Sequence, residues 1–369
     1  MTARRIPFAA LVPGEDAAEV RSAIDRVIAR GWFVLGPEVE AFEQEFAAAS
    51  GAAHAIGVGT GTDAIALVLR ALGIAAGDEV ITTPLSAAYS ALAVMMAGAR
   101  PVFADIDPAR LTIDPEQIAH AVSPRTRAIL PVHLYGQPAD MAAIERIAAR
   151  HNLAIVEDCC QAHLATAGAR PVGTIGIAGA FSFYPTKNLG ALGDGGAIVT
   201  NDRALADRLR RLRNGGQTDR YHHQEPGINS RLDEMQAAIL RARLPRLRNW
   251  TERRRVLAAR YRSRLAGSVV AVPPELDPGH VYHLFVGRSR ARRDLQAHLA
   301  ASGIETLIHY PVPVPRQPAM AAVDPAECPV AARVCDELFS LPLHPALHDD
   351  EVDAVAAAVQ VFEPRTVAS

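Results

Sequence analysis

Short apolar runs punctuate the first two thirds of the chain: AIGVG (55–59), EVITT (79–83), PVFADI (101–106), AILPV (128–132), AIVED (154–158), AFSF (180–183) and GAIVT (196–200). Between most of them lie stretches with helical spacing, at 62–73, 86–98, 115–121 and 140–150. Strand–helix alternation at this spacing predicts an α/β fold whose large domain holds a mostly parallel sheet of about seven strands, covered on both faces. The last two runs are joined by a segment without room for a helix of normal length. They are either antiparallel or linked by an unusual connection.

From 232 to 266 the pattern is helical and arginine-rich, and Pro245 is expected to kink or break it. The remainder alternates VYHLFVGR (strand), DLQAHLAASG (helix with a glycine stop), ETLIHY (strand) and two more helical patterns. We therefore expect a large domain over residues 1–250 and a smaller C-terminal α/β domain over 251–369. A chain of 369 residues suits that division.

Composition narrows the class. Hydrophobic residues make up 49%, charged residues 21% and aromatics 5%, a globular profile with ample core material. A net charge of −2 gives no global bias toward nucleic acid or an anionic membrane. The N-terminal letters show no secretory pattern, and no stretch reaches membrane-spanning length free of charge. Cys159, Cys160, Cys328 and Cys335 form neither a disulfide framework nor a CxxC pair, which points to a reducing, cytoplasmic setting. No metal site is expected, because His222–His223 lack a third ligand at suitable spacing.

One composition detail changes the picture. Of 38 lysines and arginines, only Lys187 is lysine, and it sits in FSFYPTKNLGALGDGG (181–196). Arginine serves wherever a fixed positive charge suffices. It cannot serve as a neutral amine that attacks a carbonyl, because its guanidinium does not deprotonate in proteins. Ligands of open α/β sheets bind beyond the carboxyl ends of the strands. Two more features fall at such ends. In GVGTGTDAIALVLRAL (57–72) a glycine-rich strand end opens a helix near Thr62. That arrangement reads either as an anion cradle or as an ordinary N-cap. A dinucleotide fingerprint fits less well, since Thr62 stands where the third glycine belongs. In AIVEDCCQAH (154–163) Asp158 ends an apolar strand, with Gln161 three residues on. Such a carboxylate either caps the turn or keeps a heteroaromatic nitrogen protonated. An anion cradle, an acid for a ring nitrogen and a reactive amine are the three requirements of pyridoxal 5'-phosphate.

The whole chain resembles the DegT/DnrJ/EryC1/StrS family of sugar aminotransferases, of fold-type I. The stretches that carry the resemblance are LGPEVEAFEQEFA (35–47), GVGTGTDAI (57–65), LPVHLYGQPADM (130–141), VEDCCQAH (156–163), FSFYPTKNLGALGDGG (181–196), NSRLDEMQAA (229–238), LIHYPVPV (307–314) and LFSLPLHP (338–345). The resemblance implies that Lys187 carries the cofactor and that Asp158 binds its pyridine nitrogen. It also implies that Gln161 lies near the ring hydroxyl, and that Gly61, Thr62 and Ser182 hold the phosphate. Asn229 would complete the phosphate site from the neighbouring subunit of a homodimer. The motif FYPxKNLGALGDGG, followed by Tyr221, His223 and NSRLDE, most resembles members that aminate dTDP-3-keto-6-deoxyhexoses with L-glutamate as donor. Amination of a 4-keto sugar or an aminocyclitol precursor is the alternative within the class, and a non-catalytic cofactor-binding regulator the alternative outside it.

The chain departs from the family pattern in places. Ala87 stands where an aromatic residue stacks on the cofactor ring, leaving Tyr89 to take over or the ring less covered. Thr186 replaces a glycine before the lysine, Pro315–Arg316 a His-x pair, and Leu164 a glycine after QAH. His133 and Tyr135 of PVHLYGQ resemble positions near the site, with a strand-end bracing role equally open.

Overall fold

The computed structural model describes residues 5–323 and 326–364. Seven strands form one sheet: β1 (His54–Val58), β2 (Glu79–Thr82), β3 (Arg100–Phe103), β4 (Thr126–Leu130), β5 (Ala154–Asp158), β6 (Ala178–Ser182) and β7 (Gly196–Thr200), in the order β1-β7-β6-β5-β4-β2-β3. All neighbours from β6 to β3 are parallel, while β7 runs antiparallel to both β1 and β6. The open question about the last two runs is thus settled as antiparallel. The connection between them holds no helix, so the chain reverses instead of crossing over.

The strands are apolar on both sides because both sides are covered. Helix α3 (Gly61–Ala71) packs Ala64, Leu67 and Val68 with Val58, Val80 and Ile198 on one face. On the other face Phe42 and Phe46 of α2 (Pro37–Ser50) meet Phe181 and Phe183 edge-on. Such T-shaped aromatic contacts add to the area they bury. Helix α1 (Ala17–Arg30) and α2 both lie against α8 (Glu234–Arg243). Glu234, fully buried, accepts from the backbone N–H groups of Gly36 (2.9 Å), Glu38 (2.9 Å) and Val39 (2.8 Å). Those donors belong to the first turn of α2, so one carboxylate fills an otherwise orphaned helix terminus. Two distant motifs, LGPEVE and NSRLDE, are joined by this contact.

Pro245 lies in a short 3₁₀ turn, Leu244–Arg246, that separates α8 from α9 (Leu247–Arg264). Beyond it β8 (Phe285–Arg288) pairs antiparallel with β9 (Leu338–Leu341), flanked by α10 (Arg292–Ala301), α11 (Pro329–Glu337) and α12 (Asp349–Gln360). Tyr261, Phe285, Phe339 and Val352 form the core of this unit, and Ile6 from the start of the chain joins them. Asp105, just past β3, accepts from Val330 N and Ala331 N at 2.8 and 2.9 Å and so caps α11 across the molecule.

Two expected strands are shorter than their apolar pattern. In VYHLFVGR only 285–288 is extended in a ladder. Val281 N and Leu284 N donate instead to Gly136 and Tyr135 carbonyls, and Tyr282 has φ +46°. In ETLIHY only Leu307 pairs, with Ser340, and His309 and Tyr310 turn away to the large sheet. Helix α4 (Tyr89–Met96) begins three residues later than the pattern predicts. Pro84 O is held by Val314 N, which keeps 84–88 out of the helix.

Candidate active site

The glycine-rich end of β1 opens into α3. Thr60 is the N-cap, its hydroxyl accepting from Asp63 N at 3.0 Å. The amides of Gly61 and Thr62 in the first turn have no acceptor among the described residues, which is the electrostatics of an anion site. Ser230 braces this turn from within the chain, accepting from Gly59 N at 2.9 Å and donating to Asp63 at 2.8 Å. A Cβ on Gly61 would come 2.6 Å from Cys160 Sγ and 2.9 Å from Ser182 Cβ. Glycine at 61 is what lets the three sequence features touch. Gly196 plays the same part from β7, where a Cβ would sit 2.4 Å from the Thr60 carbonyl carbon.

Asp158 ends β5, 5% exposed. Oδ2 accepts from the Ser90 hydroxyl at 2.7 Å and Oδ1 from Cys160 N at 3.0 Å. Its neighbour Glu157 points to the opposite face, as strand alternation requires. There Glu157 accepts from the N–H groups of Gly173, Ile175 and Gly176 at 2.7–2.8 Å. It also bonds His133 Nε2 at 3.0 Å. His133 Nδ1 accepts from Ala139 N, so Nε2 carries the proton and donates. The cluster His133, Glu157 and Cys159 has metal-like composition, but Glu157 and both ring nitrogens of His133 are already engaged by the chain. It braces the loop, and of the two open roles for His133 the geometry selects the bracing one.

Gln161, 5% exposed, accepts from Tyr135 N at 2.7 Å and donates to the Tyr310 hydroxyl at 3.0 Å. Tyr135 has φ +59°, a costly conformation for a bulky residue, and its hydroxyl donates to the His309 carbonyl at 2.5 Å. The Gln161 carboxamide thus links the turn after β4 to Tyr310 of the C-terminal part of the chain.

Lys187 stands on a loop pinned at both ends. Phe183 N donates to Gly195 O and Ala191 N to Phe183 O, both at 2.7 Å. Within the loop Lys187 N donates to Tyr184 O at 2.8 Å, a four-residue turn with Pro185 and Thr186 at its centre. Pro185 suits the second turn position. Thr186 is exposed and its φ is not positive, so the turn does not require glycine there. Asn188 fixes the far side through Val281 O at 3.0 Å. Burial pushes the Lys187 amine below the ordinary lysine value, while the nearby Cys160 and Asp158 pull it back up. No described carboxylate pairs with it at ion-pair distance.

Two buried histidines, His163 and His283, and the half-buried His309 lie near this amine, all held neutral. Burial lowers His163 to about 3 and His309 to about 4, with the Lys187 charge a secondary cause in each. His283 is pushed down by the same two causes. His163 Nε2 donates to Ser182 O at 2.9 Å.

Gly61 therefore packs against Cys160 and Ser182, and Lys187 lies near Cys160 and Asp158, so the three motifs meet at the carboxyl ends of β1, β5 and β6. Asn229 makes no described hydrogen bond to any of these residues within the chain. It is exposed, bridged to Asn214 through the backbone, and its amide has no partner among the described residues. Tyr89 is 64% exposed on the first turn of α4, beside Ser90. His222 and His223 lie exposed on a short hairpin, bonded to Asp219 and to Gly215 O. Sequence reasoning missed Ser90, whose hydroxyl carries no motif of its own. It also missed His309 and Tyr310, which were visible only as part of LIHYPVPV.

The chain matches the family model described as "DegT/DnrJ/EryC1/StrS aminotransferase family" over residues 15–360. It is 48% identical to a dTDP-3-amino-3,4,6-trideoxy-alpha-D-glucose transaminase of Streptomyces venezuelae, over 98% of this chain and 97% of that protein. Its fold superposes on the crystal structure of S. venezuelae DesV in complex with ketimine intermediate, with TM-score 0.93, 49% identity and coverage of 96% and 98% of the two chains. It also superposes on ntda from Bacillus subtilis with bound cofactor pmp, with TM-score 0.90, 31% identity and coverage of 96% and 84%.

Proposed function

Because the chain belongs to the DegT/DnrJ/EryC1/StrS aminotransferase family, we propose that it transfers an amino group from L-glutamate to the 3-keto carbon of a nucleotide-linked sugar, a dTDP-3-keto-6-deoxyhexose. The observation that carries this is the meeting of Asp158, the α3 N-terminus and the only lysine of the chain around Cys160, in a chain so similar to a dTDP-sugar transaminase.

The residues present fit pyridoxal 5'-phosphate. Two helix amides without an acceptor, with Ser182 beside them, suit a phosphate. An amine without a carboxylate partner suits an aldehyde. Gly61, Thr62 and Ser182 would hold the phosphate, Asp158 the ring nitrogen, Gln161 the ring oxygen and Lys187 the aldehyde carbon. When bound, the cofactor supplies an electron sink for the substrate carbon that loses its proton.

The chain's own residues supply the rest. Asp158, shared with Ser90, favours a proton on the ring nitrogen through a charge-assisted hydrogen bond. The depressed Lys187 amine is ready to hold a proton and return it on the same face. His309 and Tyr310, bonded to Tyr135 and Gln161, would hold the small unit against the cofactor site. Glutamate and the keto sugar use this site in turn, a ping-pong exchange.

The same reading makes the protein a homodimer in which Asn229 of the partner subunit completes the phosphate site. The exposed amide of Asn229 supports it, as does an apolar surface at Trp32 (54% exposed) and Phe33 (51%). It divides the chain near residue 250 into a cofactor-binding domain and a small domain. It places the protein in the cytoplasm, where four unpaired cysteines stay reduced. No helix among the described residues is long and apolar enough to cross a membrane.

A panel of keto sugars supplied with glutamate, with the new amine located on the product, tests the reaction. A 3-amino product is expected. A 4-amino product or an aminated cyclitol would move the site of transfer. Failure to release 2-oxoglutarate in a single turnover would point to a regulatory protein.

A further inference from the structure

The start of the chain also reaches the site. Ile6, 2% exposed in the core of the small unit, donates to Gly303 O at 2.9 Å and accepts from Glu305 N at 3.0 Å. The Glu305 carboxylate then accepts from Phe8 N at 3.0 Å and from Arg5 Nε at 2.9 Å. Clipped in this way, residues 5–8 lay the Phe8 ring on the His309 imidazole, with centroids 5.6 Å apart and planes 28° apart.

His309 is held on its other sides as well. Its Nδ1 bonds Ser340 Oγ at 2.9 Å, its carbonyl accepts from Tyr135, and Tyr310 meets the ring edge-on at 5.6 Å. Nε2 is left without a protein partner among the described residues. An imidazole turns easily about its second side-chain torsion, which is broad and two-fold. A flip would exchange the nitrogens with carbons and lose the Ser340 bond. The stacked Phe8 face opposes that flip.

We propose that Phe8 is a positioning residue for His309, so that the N-terminal segment 5–8 is a working part of the active site. The proposal rests on the aminotransferase reading, in which His309, near enough to Lys187 to feel its charge, borders the reacting amine. An aromatic contact of this kind biases orientation by about three- to tenfold. The rate effect should be of that size and no larger.

The test compares F8A, F8L and F8Y holoenzymes, with H309N to identify the His309 ring-nitrogen signal, which reports the Nδ1–Ser340 bond and is little affected by ring current, in ¹⁵N-histidine-labelled NMR spectra. F8L keeps apolar volume without the ring, so it separates loss of folding from loss of stacking. We expect F8L to load cofactor like wild type and to lower kcat with the keto sugar about three- to tenfold. The KM for glutamate should stay within about twofold, as expected when the glutamate step is untouched. The His309 signal should move in F8L, and F8Y should restore both rate and signal. Wild-type kcat and an unmoved signal in F8L would overturn the proposal, as would F8Y behaving like F8L. If the wild-type protein aminates no keto sugar, the reaction reading fails. The NMR comparison still decides whether Phe8 orients His309.

Discussion

The Ser90 hydroxyl donates to Asp158 Oδ2 at 2.7 Å, so the acid at the end of β5 is held from α4 as well as from its own loop. A hydrogen bond to a charged group is worth about 1.5–3 kcal/mol. Ser90→Ala should weaken cofactor binding by about tenfold or more, and Ser90→Thr should retain most of it. The bound cofactor's absorbance should also titrate at a different pH in the alanine variant. Cofactor titrations at several pH values check both.

Lys187→Arg should leave the fold intact and remove covalent cofactor attachment. Arginine keeps the charge but cannot become the neutral amine. The purified wild-type protein should be yellow and the variant should not change colour with glutamate. Circular dichroism provides the control for folding.

Mixing Lys187→Ala with Asn229→Ala addresses the shared site. Each variant alone should be weak or inactive. In a mixed dimer one site has Lys187 from one protomer and Asn229 of the partner subunit, both native. Random reassortment should recover about a quarter of wild-type activity. No recovery, with mixed dimers demonstrated by mass, would place Asn229 outside the neighbouring site.

Acid should destabilise the protein through its buried histidines. His163 and His280 are lowered to about 3 and His309 to about 4, chiefly by burial. An unfolded histidine titrates near 6.5, so below that value the unfolded state binds the extra protons. The stabilisation from neutral burial is complete above pH about 6.5 and is lost as pH falls toward the folded values. At pH 5 the cost is about 2 kcal/mol per histidine at most. Denaturant midpoints at pH 7 and pH 5 should differ, and the difference should shrink in His280→Gln, whose ring lies outside the site.

Glu234→Ala removes the acceptor of three first-turn N–H groups of α2. Leaving buried donors unsatisfied should cost about 3 kcal/mol, and Glu234→Gln should cost less. Urea unfolding measures it.

The strands and the placement of three proposed site residues were legible because each rests on a local rule. Gly61, Asp158 and Lys187 all sit at the carboxyl ends of apolar runs, where an open sheet binds its ligands. The direction of β7 was not legible, since a short connection permits more than one path. Nor were the truncated strands at 281–284 and 305–310. Their apolar pattern is that of a strand, but Gly136, Tyr135 and Gln161 claim them from far along the chain. Ser90 and Phe8 act through single contacts at long range, and nothing in their neighbours announces it. Thr186 looked anomalous beside the lysine until the turn geometry showed no need for glycine.

Lys187 carries the only side-chain amine in the sequence, on a loop whose two ends are fastened to the sheet. This turns occupancy into something a mass spectrometer can count. Borohydride would fix a bound aldehyde onto that nitrogen and no other side chain. A protease that cuts after lysine would then split the denatured empty chain once and leave the loaded chain whole. The ratio of the two reads the fraction of enzyme that holds the aldehyde form, without any assay of turnover.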